Sequence, residues 1–90
     1  MATVRFTYAL KRFFPHLKDM PAEGNTLKEI LNELESRYPR IQNYLVDDQG
    51  KLRDHVNIFI DGTVITDRAD LSDAFSPESE IYIIQALSGG

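Results

Sequence analysis

The sequence predicts an α+β domain in which one helix packs on a mixed sheet of four or five strands. Three observations carry this expectation. Apolar and polar residues alternate over residues 3–10 and again over 55–60, the period of a half-buried strand. One stretch alone, Leu27, Ile30, Leu31 and Leu34, has the spacing of an amphipathic helix. The run Ile81-Tyr82-Ile83-Ile84 is β-branched or aromatic at every position, as buried strands are.

Taken in order, Val4, Phe6, Tyr8 and Leu10 form the apolar face of the first strand, which Lys11 to Pro15 interrupt. Residues 17–22 make a short second strand, and Pro21 restricts it to a sheet edge because it lacks a backbone N–H. Glu23-Gly24-Asn25 is a turn. Thr26 and Glu29 then have capping-box spacing, and Pro39 ends the helix near Tyr38. Ile41, Tyr44, Leu45 and Val46 fit a helical turn. Val56, Ile58 and Ile60 face the core from a strand whose other face carries Asn57 and Phe59. Asp61-Gly62 signals a hairpin to a return strand over 63–66. Leu71, Ala74 and Phe75 are inward anchors of a polar connection to the last strand, where Ile81 and Ile83 share one face and Tyr82 and Ile84 the other. With the first and last strands side by side at the centre, this is a β-grasp arrangement.

Ninety residues with no cysteine make one domain without disulfide, thiolate metal site or cysteine nucleophile. No signal-like or membrane-spanning apolar run is present, so a cytoplasmic protein without a membrane partner is expected. The net charge of −4 argues against a nucleic-acid partner and suits a basic protein partner. The one basic cluster, Lys11, Arg12 and Lys18 beside His16, is read as a solvated loop. His16 and His55 are too far apart in sequence to argue a site. Asp67, Asp70 and Asp73 read as loop caps, and Asp47 to Gly50 lacks the spacing of a calcium loop. The expectation is no catalytic side chain, no metal site and no bound cofactor.

Two features remain. Phe59, Tyr82 and Ile84 are large apolar residues on faces expected to point outward, a candidate partner-binding patch. A one-residue register slip would instead make them core. The chain then runs through Leu87-Ser88-Gly89-Gly90. Glycines enter slots too narrow for any side chain, and they leave a terminal carboxylate on Gly90 sterically open. A frayed end is the other reading of the same residues. The expected organisation is a β-grasp domain over 1–86 and a flexible tail over 87–90.

The opening strand, the helix start at Thr26-Leu27 with Leu31 and Leu34, the stretch Arg53 to Ile60 with the Asp61-Gly62 turn, and the ending Leu87-Ser88-Gly89-Gly90 together resemble the ubiquitin-like sulfur carriers. That family includes the small subunit of molybdopterin synthase and the thiamine sulfur carrier. The resemblance spans nearly the whole chain. It implies that a ubiquitin-activating-type enzyme uses ATP and magnesium to adenylate the Gly90 carboxylate. A persulfide or sulfide donor then displaces AMP and leaves a thiocarboxylate. A biosynthetic enzyme accepts the sulfur for cysteine, molybdopterin, thiamine or siderophore synthesis. Leu87, Ser88 and Gly89 would thread the partners' channels, while Phe59, Tyr82 and Ile84 dock the body. The molybdopterin subunit usually has a Pro-Pro step before its glycines, where this chain has Gln85-Ala86-Leu87. The Arg53–Ile60 stretch is closer to carriers that feed a pyridoxal-phosphate cysteine synthase. Two other readings stay open: a modifier joined to lysines through Gly90, and a plain interaction module.

Overall fold

The computed structural model describes residues 1–85 of the chain. The element order is β1 (Ala2–Phe6), α1 (Tyr8–Lys11), β2 (Met20–Ala22), α2 (Leu27–Arg37), α3 (Ile41–Leu45), β3 (Val56–Ile60), β4 (Thr63–Val64) and β5 (Glu80–Gln85). The strands form one mixed sheet in the order β2-β1-β5-β3-β4. β1 and β5 are parallel, with Phe6 beside Ile83, while β3 and β5 are antiparallel, with Val56 beside Gln85. The end of β1, the end of β5 and the start of β3 therefore meet at one end of the sheet.

Alternation decides what each strand buries. Val4, Phe6, Val56, Ile58, Ile81 and Ile83 point to one face, where Leu27, Ile30, Leu31 and Leu34 of α2 complete the core. Ile60 is half-buried and packs against that cluster. β2 is an edge strand, with Pro21 opposite Thr3, so the missing N–H of the proline interrupts nothing central.

α2 starts as its sequence requires. Thr26 Oγ1 accepts from Glu29 N at 3.1 Å, and Glu29 Oε1 accepts from Asn25 N at 2.7 Å, one residue upstream of the usual capping-box donor. Glu33 reaches back to take Glu23 N and Gly24 N at 2.9 and 2.6 Å. Gly24 must lack a side chain, because a Cβ there would lie 2.7 Å from Glu29 Cβ and 3.1 Å from the Glu29 backbone carbon. Beyond the helix, Glu35 accepts from Arg40 N and Gln42 N, which folds α3 back against α2.

Four sequence expectations are corrected, the second strand first: expected over 17–22, it spans only Met20–Ala22. The strand expected to run to Leu10 ends at Phe6, and Tyr8 to Lys11 form a short helix. Alternation over 4, 6, 8 and 10 fits a strand, but Ala9 and Leu10 are both buried and Tyr8 is 80% exposed, which a strand cannot arrange. Pairing of β1 with β2 ends at Val4, and the helical turn swings Leu10 over the end of the core. The return strand after Asp61-Gly62 is only Thr63–Val64. Ala74 is exposed, whereas Leu71 is buried and Phe75 packs against the core.

Candidate functional site

The sheet has a second face, opposite α2, and the strand register builds a continuous row across it. Arg5 on β1 is beside Tyr82 on β5, Tyr82 is opposite Phe59 on β3, and Phe59 is opposite Val64 on β4. Directly opposite residues share a face with their Cβ atoms about 5 Å apart. Ile84 follows Tyr82 on the same face, opposite Asn57. The structure thus brings Phe59, Tyr82 and Ile84 together on the face away from α2, each half-buried by its neighbours. Val64, 43% exposed, extends the patch to the sheet edge.

Arg5 bounds the patch on the other side. Its guanidinium carbon lies 5.8 Å from the Tyr82 ring centroid, and it pairs with Glu80 at 3.1 Å and Asp19 at 3.5 Å. The cation covers the ring face while its charge is met by carboxylates in solvent. At the other end Arg68 donates to Asn57 Oδ1 at 2.5 Å and to the carbonyl of Val56 at 2.8 Å, with a further bond to the Arg53 carbonyl. Because β4 pairs only with Phe59 and Ile60, the start of β3 lacks a neighbour there, and this guanidinium takes its place. Sequence reasoning missed Arg5, Val64 and Arg68. Alternation placed Arg5 on the outer face, but nothing local ties Arg68 to a strand eleven residues upstream.

The turn that joins β3 to β4 also fixes the start of β5. Asp61 and Gly62 have φ of 51° and 87°, the left-handed pair a tight hairpin needs. The Asp61 carboxylate accepts from Glu80 N at 2.9 Å and from the hydroxyl of buried Ser79 at 2.8 Å. Those two donors, the Glu80 amide first, hold its carboxyl below the ordinary aspartate range. The acidic run further on is similarly spent on its own loop. Asp67 takes the Ser72 hydroxyl and the amides of Asp70 and Ser72, while Asp73 takes the amides of Thr66 and Asp67. His16 and His55 line different hollows, of about 270 and 410 Å³. Among the described residues no group of His, Cys, Asp or Glu is arranged to hold a metal ion, and no helix is long and apolar enough to cross a membrane.

The last described residue, Gln85, is gripped from both sides. Its N–H donates to Thr7 Oγ1 at 3.2 Å, and Thr7 N donates to Ile83 O at 3.2 Å. On the other side Gln85 pairs with Val56. Leu87, Ser88, Gly89 and Gly90, the expected threading segment and reacting group, lie outside the described residues, as does the expected boundary at residue 86.

The sequence from residue 4 to 90 matches the profile of the ThiS family. The chain belongs to the ThiS family. This ThiS-family chain is 31% identical over 75 residues to the protein named sulfur carrier protein CysO in Mycobacterium tuberculosis and in Mycobacterium bovis, with 81% of each chain aligned. Among solved structures, one from the crystal structure of the BexX/CysO complex of Amycolatopsis orientalis superposes with a TM-score of 0.82 at 25% identity, covering all of both chains. Mycobacterium tuberculosis CysO gives 0.80 at 27% identity, covering 97% of this chain and all of that one. SAMP1 from Haloferax volcanii shares the fold, with a TM-score of 0.75 at 21% identity. The ThiS-family chain thus has the ubiquitin-like β-grasp fold, as its strand order also shows.

Proposed function

We propose that this chain is a sulfur carrier whose reacting group is the backbone carboxylate of Gly90. The single observation that carries the reading is the ThiS-family match, which runs through Gly90 itself, in a chain 31% identical to a named sulfur carrier protein. A carboxylate is a poor electrophile. A ubiquitin-activating-type enzyme with ATP and magnesium joins it to AMP and releases pyrophosphate. Hydrosulfide then attacks the acyl carbon, the acyl–phosphate bond breaks, AMP leaves, and the thioacid loses its proton to give a thiocarboxylate. If the donor is a protein persulfide, its outer sulfur attacks, and a thiol then cleaves the resulting acyl disulfide. The chain acts as a substrate throughout, and a biosynthetic enzyme takes up the sulfur.

The proposed division of labour rests on the sequence for the tail and on the sheet face for the body. Leu87, Ser88 and Gly89 form a strip that shrinks to glycine toward the reacting end, suited to a narrow channel. Phe59, Tyr82 and Ile84 form the half-buried apolar surface that docks the body. A cysteine-synthase-type acceptor is favoured over the molybdopterin type by the Arg53–Ile60 stretch and by the 31% identity over 75 residues to a sulfur carrier protein named CysO.

Intact-mass spectrometry of the protein purified from its own host tests the reading. The expected result is replacement of one oxygen by sulfur, reversed by hydrolysis and abolished by deletion of Gly90. Lysine-linked conjugates in place of the sulfur form would support a protein modifier. A deletion of Gly90 that leaves the host's phenotype unchanged would refute both.

A further inference from the structure

The chain is acidic overall, yet its charges are segregated. Residues 6–18 and 36–46 contain five of the ten basic residues, Lys11, Arg12, Lys18, Arg37 and Arg40, and none of the fourteen carboxylates. The fold brings the two segments together. Tyr38, just after α2, donates its hydroxyl proton to the carbonyl of His16 and accepts from Lys18 N, both at 3.3 Å. The Tyr44 ring of α3 lies 5.2 Å from Phe13 and 5.2 Å from Phe14, edge-on to the latter. Phe13 is 52% exposed and Tyr44 37%. Between them and the end of α2 is a hollow of about 270 Å³ lined by Phe13, Phe14, Pro15, His16, Arg37 and Tyr38 among others.

This surface lies at the end of the molecule from which the chain leaves β5. α1 follows the end of β1 and carries the chain straight to Phe13. α3 is bound to the lead-in of β3 through Arg53 N to Leu45 O at 3.0 Å and Arg53 Nε to Asn43 O at 2.9 Å, and β3 starts opposite Gln85. Five carboxylates border it in sequence. Asp19 pairs with Arg5, Glu35 takes the amides of Arg40 and Gln42, Asp47 takes those of Gln49 and Lys51, and Asp48 and Asp54 are exposed. Asp61, Glu78 and Glu80 are at the opposite end, on the β3–β4 turn and the start of β5. Glu23 and Glu29 flank the start of α2, also away from the exit.

We propose that this basic, aromatic pole is a second docking surface, and that its occupant is an acidic rim carrying an apolar side chain on the adenylating enzyme that receives the tail. The inference rests on the sulfur-carrier reading only for the identity of that enzyme. The chemistry is complementary. Exposed Phe13 and Tyr44 offer desolvation, and the Arg37 guanidinium lines the same hollow as Phe13, a pairing of aromatic and arginine found in interface hot spots. Opposite charges near the tail exit orient the chain tail-first during approach, and the acidic far end turns away from the same rim. A long polyanion fits worse, because beyond a Debye length of about 8 Å from the pole it meets the carboxylates of the rest of the surface. A second copy docked here through its acidic end would make a heterologous head-to-tail contact, which builds rings or open filaments instead of the common two-fold dimer.

The test has two arms. In the first, the full ¹⁵N-labelled chain is titrated with a short synthetic peptide of Glu residues flanking a Leu-Phe pair, with the same peptide bearing Lys for Glu, and with single-stranded oligothymidylate of equal charge. Shifts confined to Phe13, His16, Arg37 and Tyr44 with the Glu peptide alone are expected. No shift there at millimolar peptide, equal binding of the oligothymidylate, or concentration-dependent self-association that buries the pole overturns the proposal. In the second arm, thiocarboxylate yield in the host is compared between the wild type and Phe13→Ser/Arg37→Glu, both exposed positions. The expected loss is about thirtyfold, the size of one lost hot spot. Equal yield overturns the second docking surface. A wild type that carries no sulfur refutes the carrier reading instead, and leaves the peptide result standing.

Discussion

Ile83 and Ile84 are neighbours of one residue type on one strand, and the structure assigns them opposite fates. Ile83 is fully buried, between Phe6 on β1 and Ile58 on β3, on the face that α2 covers. Ile84 is half-buried on the other face, opposite Asn57. Substitution of a buried isoleucine by alanine costs about 2–5 kcal/mol, and a site locked between two strands and a helix has little room to collapse, so Ile83→Ala is expected to cost about 4 kcal/mol. Ile84→Ala removes the same three carbons at about half the burial, which is about 1 kcal/mol at ~0.8 kcal/mol per buried methylene. Both lose the same intrinsic strand preference, so the difference of about 3 kcal/mol isolates the register. A domain of this size has about 5–13 kcal/mol of stability, so both variants fold. Urea unfolding followed by circular dichroism should separate the midpoints, and thermal melts should differ by roughly 12–24 °C. Equal costs, or a larger cost for Ile84→Ala, would mean that the faces are inverted, and the candidate docking patch of Phe59, Tyr82 and Ile84 would be lost with them.

Thr26→Ala removes the oxygen that caps Glu29 N and should cost about 1 kcal/mol in the same urea assay, while Thr26→Ser should cost little. Gly62→Ala places a side chain at φ 87° in open space, so only the backbone conformation is penalised, by about 1 kcal/mol. Gly24→Ala should cost more, because its Cβ meets the backbone of Glu29 and the start of α2 has to shift. Acid unfolding follows from the carboxylates that accept backbone amides. Glu35, Asp47, Asp61, Asp67 and Asp73 all have folded-state pKa values below their ordinary 4.5 or 3.8. Their contribution is whole above those unfolded values and is lost as pH falls through the lower folded ones. Melting temperature should therefore be flat near neutrality on their account and decline below about pH 4.5, and Asp61→Asn should make that decline shallower.

The parts of the fold that were legible in the sequence are those where one local rule decides. Alternation fixed the faces of β3 and β5, and the spacing of Leu27, Ile30, Leu31 and Leu34 fixed α2. The Asp61-Gly62 dipeptide announced its turn because so few residues accept left-handed angles in succession. Where two rules coincide, reading failed. Apolar residues at 4, 6, 8 and 10 satisfy a strand, and Tyr8 looked internal until the helical turn exposed it. Ala74 failed for another reason: alanine has too little apolar surface to prefer one side strongly. The basic cluster of Lys11, Arg12 and Lys18 was legible, but its neighbour Arg37 was not, because the two are distant in sequence and only the packing of the α2 end against residues 13–18 brings them together. A net charge of −4 describes a sum, and docking responds to the local field.

The same alternation that gives the sheet two faces gives β5 two tasks. Its inward residues, Ile81 and Ile83, sit at the centre of the core, flanked by β1 and β3, so the strand is held by the most cooperative part of the molecule. Its outward residues, Tyr82 and Ile84, belong to the candidate docking patch. Rigid attachment continues to Gln85, which is bonded to Thr7 on one side and paired with Val56 on the other. On the proposed carrier reading, a reacting group at Gly90, five residues beyond such a clamp, has a launch point fixed relative to the candidate docking patch. Binding the body then sets where the tail begins, so less orientational freedom is left to lose in the partner's channel. A mutation that loosens Gln85, such as Thr7→Val, should therefore weaken tail transfer more than body docking. Surface plasmon resonance against the activating enzyme, set beside its adenylation rate, distinguishes the two effects. A Thr7→Val chain that docks and reacts like the wild type would show that the tail needs no fixed root.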